Sequence, residues 1–156
     1  MRNIEVVKYN SFGAPDGELS GATSFTVDSL TSTLYALTSN GEIFFKPSTA
    51  LEFCKIMDLG GEDWIDIAYV ADNEALCCAS SSGQLLSVTV DTEGEGEPVC
   101  EMNEMGSMEE VGGIAAMAWS PGEEVLAILT RSNVFLTISP DADVLVGCFC
   151  HILCTS

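Results

Sequence analysis

Apolar residues in this chain come in paired runs, and the pairs recur. Leu34-Tyr35-Ala36-Leu37-Thr38 leads to Ser39-Asn40-Gly41, and Glu42-Ile43-Phe44-Phe45 follows. The layout returns as Leu76-Cys77-Cys78-Ala79, Ser81-Ser82-Gly83 and Gln84-Leu85-Leu86-Ser87-Val88. It returns again as Leu126-Ala127-Ile128-Leu129-Thr130, Arg131-Ser132-Asn133 and Val134-Phe135-Leu136-Thr137-Ile138. Short apolar runs broken by such polar tips predict β-hairpins. A tight tip requires positive φ, which Gly adopts freely and Asn tolerates better than most residues. Gly41, Gly83 and Asn133 are therefore expected to fill equivalent positions.

A further apolar run precedes each hairpin: Phe25-Thr26-Val27, Ile65 to Val70, and Ile114 to Trp119. Two of these follow glycine pairs, Gly60-Gly61 and Gly112-Gly113, where a chain passing between sheets can bend. Ser120-Pro121-Gly122 predicts a type II turn, with Pro fixing φ and Gly supplying its positive value. A fourth strand is expected near residues 52–57, 98–102 and 144–146. The opening leucines are 42 and then 50 residues apart, and a repeat of roughly 40–45 residues with hairpin punctuation marks propeller blades. The fold class is thus all-β, a partial WD40-type β-propeller. Its blades of four strands are expected at about 20–58, 62–103 and 112–146.

A chain of 156 residues holds about three such blades, whereas closed rings usually have roughly four to eight. The ring is not expected to close, and the chain reads as a truncated piece of a larger assembly whose blades depend on neighbours for burial. Residues 1–146 form this incomplete propeller, and residues 147–156 form a Cys-rich tail that does not match the repeat.

Charge narrows the functions available. The formal net charge is −19, from 24 acidic and 5 basic residues. Nucleic-acid affinity derives largely from Lys and Arg neutralising phosphates, so no direct nucleic-acid contact is expected, nor attraction to an anionic membrane. The longest uncharged apolar stretch, residues 144–154, is about half of the ~20 residues a spanning helix needs. Seven cysteines, an odd number, with no secretory leader point to reduced thiols in the cytosol. The adjacent Cys77 and Cys78 are expected on opposite faces of one strand.

Residues 91–110 contain eight acidic residues and no basic one, and read as a solvated loop between the third and fourth strands of the second blade. Their start, Asp91-Thr92-Glu93-Gly94-Glu95-Gly96-Glu97, looks like a calcium loop, but Met102 stands where the bidentate acid belongs. Cys148, Cys150, His151 and Cys154 are the sole metal-ligand candidates, a zinc set that crowded spacing argues against. No metal or other cofactor is therefore expected. Trp64 and Trp119 are read as core. With His151 the only histidine, a Ser-His-Asp or Cys-His constellation has no base to draw on. Phosphate-loop, nucleophile-elbow and dinucleotide motifs are also missing. Neither catalysis nor a small-molecule substrate is expected.

Two places carry a more specific resemblance. The start Met1-Arg2-Asn3-Ile4 and the run Met117-Ala118-Trp119-Ser120-Pro121-Gly122-Glu123-Glu124-Val125-Leu126-Ala127-Ile128-Leu129-Thr130 resemble the N-terminal region of the largest subunit of the Elongator complex, the IKAP family. The order of blade, Gly-Gly lead, Ser-rich hairpin, acidic stretch and Trp-Ser-Pro blade is similar over about residues 1–146. The resemblance implies a non-catalytic scaffold whose partners are other Elongator subunits. Its role would lie in tRNA wobble-uridine modification, in the cytoplasm and also the nucleus, with the chemistry in another subunit. A generic WD40 adaptor whose acidic loop docks a basic partner is the alternative.

Overall fold

The computed structural model describes residues 21–92, 98–120, 124–139 and 150–151. They form three four-stranded sheets in which each strand pairs antiparallel with its chain neighbour. The first blade contains β1 (Ala22–Asp28), β2 (Thr33–Thr38), β3 (Glu42–Lys46) and β4 (Cys54–Asp58). The second contains β5 (Trp64–Val70), β6 (Ala75–Ser80), β7 (Gln84–Asp91) and β8 (Val99–Ser107). The third contains β9 (Ile114–Ser120), β10 (Val125–Thr130), β11 (Val134–Ile138) and β12 (Cys150–His151). The described sheets make an all-β partial propeller without a closed ring.

The three tips superimpose in chemistry as their spacing predicts. Gly41, Gly83 and Asn133 have φ of 87°, 113° and 60°. Their backbone N–H groups donate to Thr38 O, Ser80 O and Thr130 O at 3.0, 3.1 and 3.1 Å. A second bond repeats alongside. The hydroxyls of Thr38, Ser80 and Thr130 accept from the N–H groups of Glu42, Gln84 and Val134 at 3.1, 3.0 and 3.0 Å. All three hydroxyl residues are buried, so each strand end has a polar group that satisfies its own turn.

The sheets pack face to face through two cores. Tyr35, Leu37 and Ile43 meet Trp64, Ile67, Leu76, Cys78, Leu86 and Val88 between the first and second blades. Cys77, Ala79 and Leu85 meet Ile114, Met117, Leu126 and Ile128 between the second and third. Cys77 and Cys78 thus enter different cores, as strand alternation requires. Trp64 is buried with its indole N–H donating to Gly60 O at 2.8 Å. Trp119 is half-buried against the second core.

One expectation is corrected. The acidic stretch 91–110 is not simply a loop. Asp91 ends β7, β8 runs from Val99 to Ser107, and a 3-10 turn follows at Glu109–Val111. Glu101 and Glu104 are exposed within β8. This strand forms one margin of its sheet, and such a margin carries charge without burial cost. The fourth strand expected at 144–146 and the turn at 121–122 lie outside the described residues. Cys150–His151 instead supplies the fourth strand of the third blade, with His151 opposite Val134 and Cys150 opposite Phe135.

Candidate interaction site

The first strands of the blades lie together, β5 packing against β1 on one side and β9 on the other. Polar residues link them. Asp66 Oδ1 accepts from Ser24 Oγ at 2.8 Å and Ile67 N at 3.0 Å, while Oδ2 accepts from Met117 N at 2.8 Å. Thr23 Oγ1 donates to Trp64 O at 3.1 Å, and Tyr69 N donates to Thr26 Oγ1 at 3.0 Å. One carboxylate therefore ties all three blades together. Charge-assisted bonds of this kind are stronger than neutral ones, so Asp66 helps fix the angle between sheets.

That fixed angle leaves a groove of about 760 Å³ where the first two blades meet. Asp28, Tyr35, Tyr69, Glu74, Asp91 and Glu101 give it its chemical character. The Tyr35 and Tyr69 rings stack with centroids 5.9 Å apart and planes 9° apart. Asp28 is only 4% exposed. Its carboxylate accepts from Leu30 N at 2.9 Å and from the Thr31 hydroxyl, and it has no ion pair among the described residues. Burial first, then the charges of Asp28 and Glu74 and a hydrogen bond to Asp28, push the Tyr69 hydroxyl up from its ordinary value. Burial, with Tyr69 and Asp28 nearby, pushes Tyr35 up to about 12. Both phenols stay neutral at physiological pH, able to donate or accept a hydrogen bond.

The groove has an acidic rim. Glu74, Asp91 and Glu101 are exposed, and none of the described residues lining it is basic. Its walls come entirely from the first and second blades. Sequence reasoning missed it because its residues span positions 28 to 101 and converge only through the packing of one sheet on another. The hydroxyl-rich β1 sequence Thr23-Ser24-Phe25-Thr26 was a legible hint of the inter-strand seam, though not of the groove.

The tail residues expected as metal candidates are only partly placed. Cys150 and His151 lie in β12, whereas Cys148 and Cys154 fall outside the described residues. Residues 93–97 of the calcium-like stretch are likewise outside. No group of three or more His, Cys, Asp or Glu is arranged to hold a metal among the described residues. Cys54, Cys77, Cys78 and Cys100 are free thiols, and burial pushes Cys77 up to about 12. Among the described residues no helix is long and apolar enough to cross a membrane.

Comparison with known proteins agrees with this architecture. Residues 1–149 match the family described as the ELP1 first N-terminal beta-propeller. Elongator complex protein 1 from Drosophila melanogaster is 29% identical over 113 residues, which cover 72% of this chain and 7% of that protein. A crystal structure described as a putative 6-phosphogluconolactonase from Bacteroides uniformis superimposes with a TM-score of 0.56 at 14% identity. That match covers 81% of this chain and 38% of the other, and it bears on the fold alone. The chain spans about 7% of the length of the Elongator protein that it matches.

Proposed function

The chain belongs to the family of the first N-terminal β-propeller of ELP1, and on that premise we propose that it is a non-catalytic scaffold module of an Elongator subunit. In this reading it contributes to tRNA wobble-uridine modification, in the cytoplasm and also the nucleus, by binding other Elongator subunits. It does not itself contact RNA, since its formal net charge of −19 repels phosphate.

The observation that carries the proposal is the family match over residues 1–149. Blade organisation supports it, because stacked sheets offer broad faces and margins for assembly. The experiment is affinity purification of the full-length protein that carries this segment, with and without residues 21–139. Other Elongator subunits should co-elute with the intact protein and decline on deletion, together with modified wobble uridine measured by mass spectrometry of tRNA nucleosides. Purification of the intact protein free of every Elongator subunit would overturn the proposal.

The adaptor reading survives in altered form. Because β8 lies inside the acidic stretch, deletion of residues 91–110 would remove a strand as well as charge. Charge-neutralising substitutions on β8 therefore separate docking from folding where a deletion does not.

A further inference from the structure

We infer that the groove between the first two blades receives one cationic side chain, lysine or arginine, presented by a basic segment of a protein partner. Four carboxylates, those of Asp28, Glu74, Asp91 and Glu101, line it, and no Lys or Arg does among the described residues. An anionic ligand would meet repulsion from these carboxylates. A cation is drawn in, where the stacked rings of Tyr35 and Tyr69 border the groove.

Independent support comes from Tyr35. It is 95% buried and lines the groove, yet its hydroxyl makes no hydrogen bond among the described residues. No fully buried side-chain oxygen lacks a partner there, so this hydroxyl is open to the groove, where it can accept from an ammonium or guanidinium N–H. Asp28 accepts two hydrogen bonds from its own turn, and so contributes charge to the groove at fixed geometry. Because both walls belong to blades present here, the site does not depend on further blades.

The inference rests on the reading of this module as a protein-contact surface, but its readout is direct binding. Failure here leaves subunit co-purification untouched, and the converse also holds. The probe is a fluorophore-labelled Gly/Ser peptide with a single central arginine, titrated with the 156-residue chain and followed by anisotropy. The lysine peptide should also bind, and the neutral citrulline peptide should bind at least about tenfold more weakly. Glu74→Gln with Glu101→Gln should weaken arginine-peptide binding about tenfold, and Tyr35→Phe, which keeps the ring, about threefold. Glu104→Gln with Glu109→Gln removes equal charge outside the groove and should leave affinity within about twofold. Equal binding of the citrulline and arginine peptides would overturn the site. So would equal losses from the two glutamine pairs, which would reduce the effect to diffuse attraction.

Discussion

The second strands of the second and third blades are near-equivalent in sequence but not in surroundings. All six residues of β6, Ala75 to Ser80, are buried. In β10 burial alternates, with Leu126, Ile128 and Thr130 buried and Leu129 39% exposed. Both are apolar on both faces, the pattern of a strand covered on two sides. Only β6 has both neighbours among the described blades. In the first blade the uncovered apolar face is on β1, with Phe25 and Val27 about half exposed, at 53% and 50%, while β2 has five of six residues buried because Phe44 and Phe53 cover Ala36. What distinguishes these strands is therefore the company their faces keep, and the outward residues of β1 and β10 have the composition of a face that a further sheet covers.

The largest test of this contrast uses the thiols of β6. Cys77 and Cys78 lie in opposite cores. Burial pushes Cys77 up from 9.0 to about 12, and it pushes Cys78 upward as well, assisted by Cys77 and Asp66. The folded chain keeps these protons to higher pH than the unfolded chain does. Between pH 9 and 12 the unfolded chain thus binds fewer protons, and stability falls as pH rises. The slope is about 1.4 kcal/mol per pH unit for Cys77 alone. Urea midpoints under reducing conditions should drop steeply above pH 9, and Cys77→Ala should flatten the fall. A midpoint constant from pH 9 to 11 would mean that β6 does not sit between two dry cores.

The hairpins were legible in the sequence because they are local: Leu34 to Phe45 specifies its own turn, and the position of Asn133 followed from matching it to Gly41 and Gly83. The alternation of Cys77 and Cys78 was legible for the same reason. The extent of β8 was not, since a strand at a sheet margin tolerates Glu101 and Glu104 and so imitates a loop. The repeated hydroxyl of Thr38, Ser80 and Thr130, three residues before each tip, stood in plain view but looked like ordinary turn polarity until its burial was known. Tyr35, Tyr69, Asp28 and Asp66 had no local signature, because their roles arise only when one sheet faces the next.

A smaller effect, on packing alone, sharpens the comparison. Leu76 is fully buried in β6, and Leu76→Ala should cost about 2–5 kcal/mol by leaving a cavity. Leu129→Ala in β10 removes a partly exposed side chain and should cost about 1 kcal/mol or less. Chemical denaturation of the two variants decides the matter. Equal costs would mean that the outer face of the third blade is covered in solution, and the contrast between the strands would disappear.

The smallest expected difference concerns the tips themselves. Gly83 sits at φ 113°, and a Cβ there would lie 2.6 Å from Glu109 N and 2.7 Å from the Met108 carbonyl carbon. Backbone returning from β8 leans on this hairpin, with Met108 N donating to Gly83 O at 2.7 Å. Gly83→Ala must therefore displace that backbone as well as strain its own, at about 1–3 kcal/mol. Asn133 occupies the same position in the third blade at φ 60° and is exposed, so the turn there already accommodates a side chain. Asn133→Gly should shift stability by no more than about 1 kcal/mol, since relief of the left-handed conformation opposes the added freedom of the unfolded chain. Thermal unfolding of both variants measures the difference. If Gly83→Ala proved as mild as Asn133→Gly, turn conformation alone would dictate Gly at this site; a larger loss at Gly83 assigns the requirement to the segment packed against it.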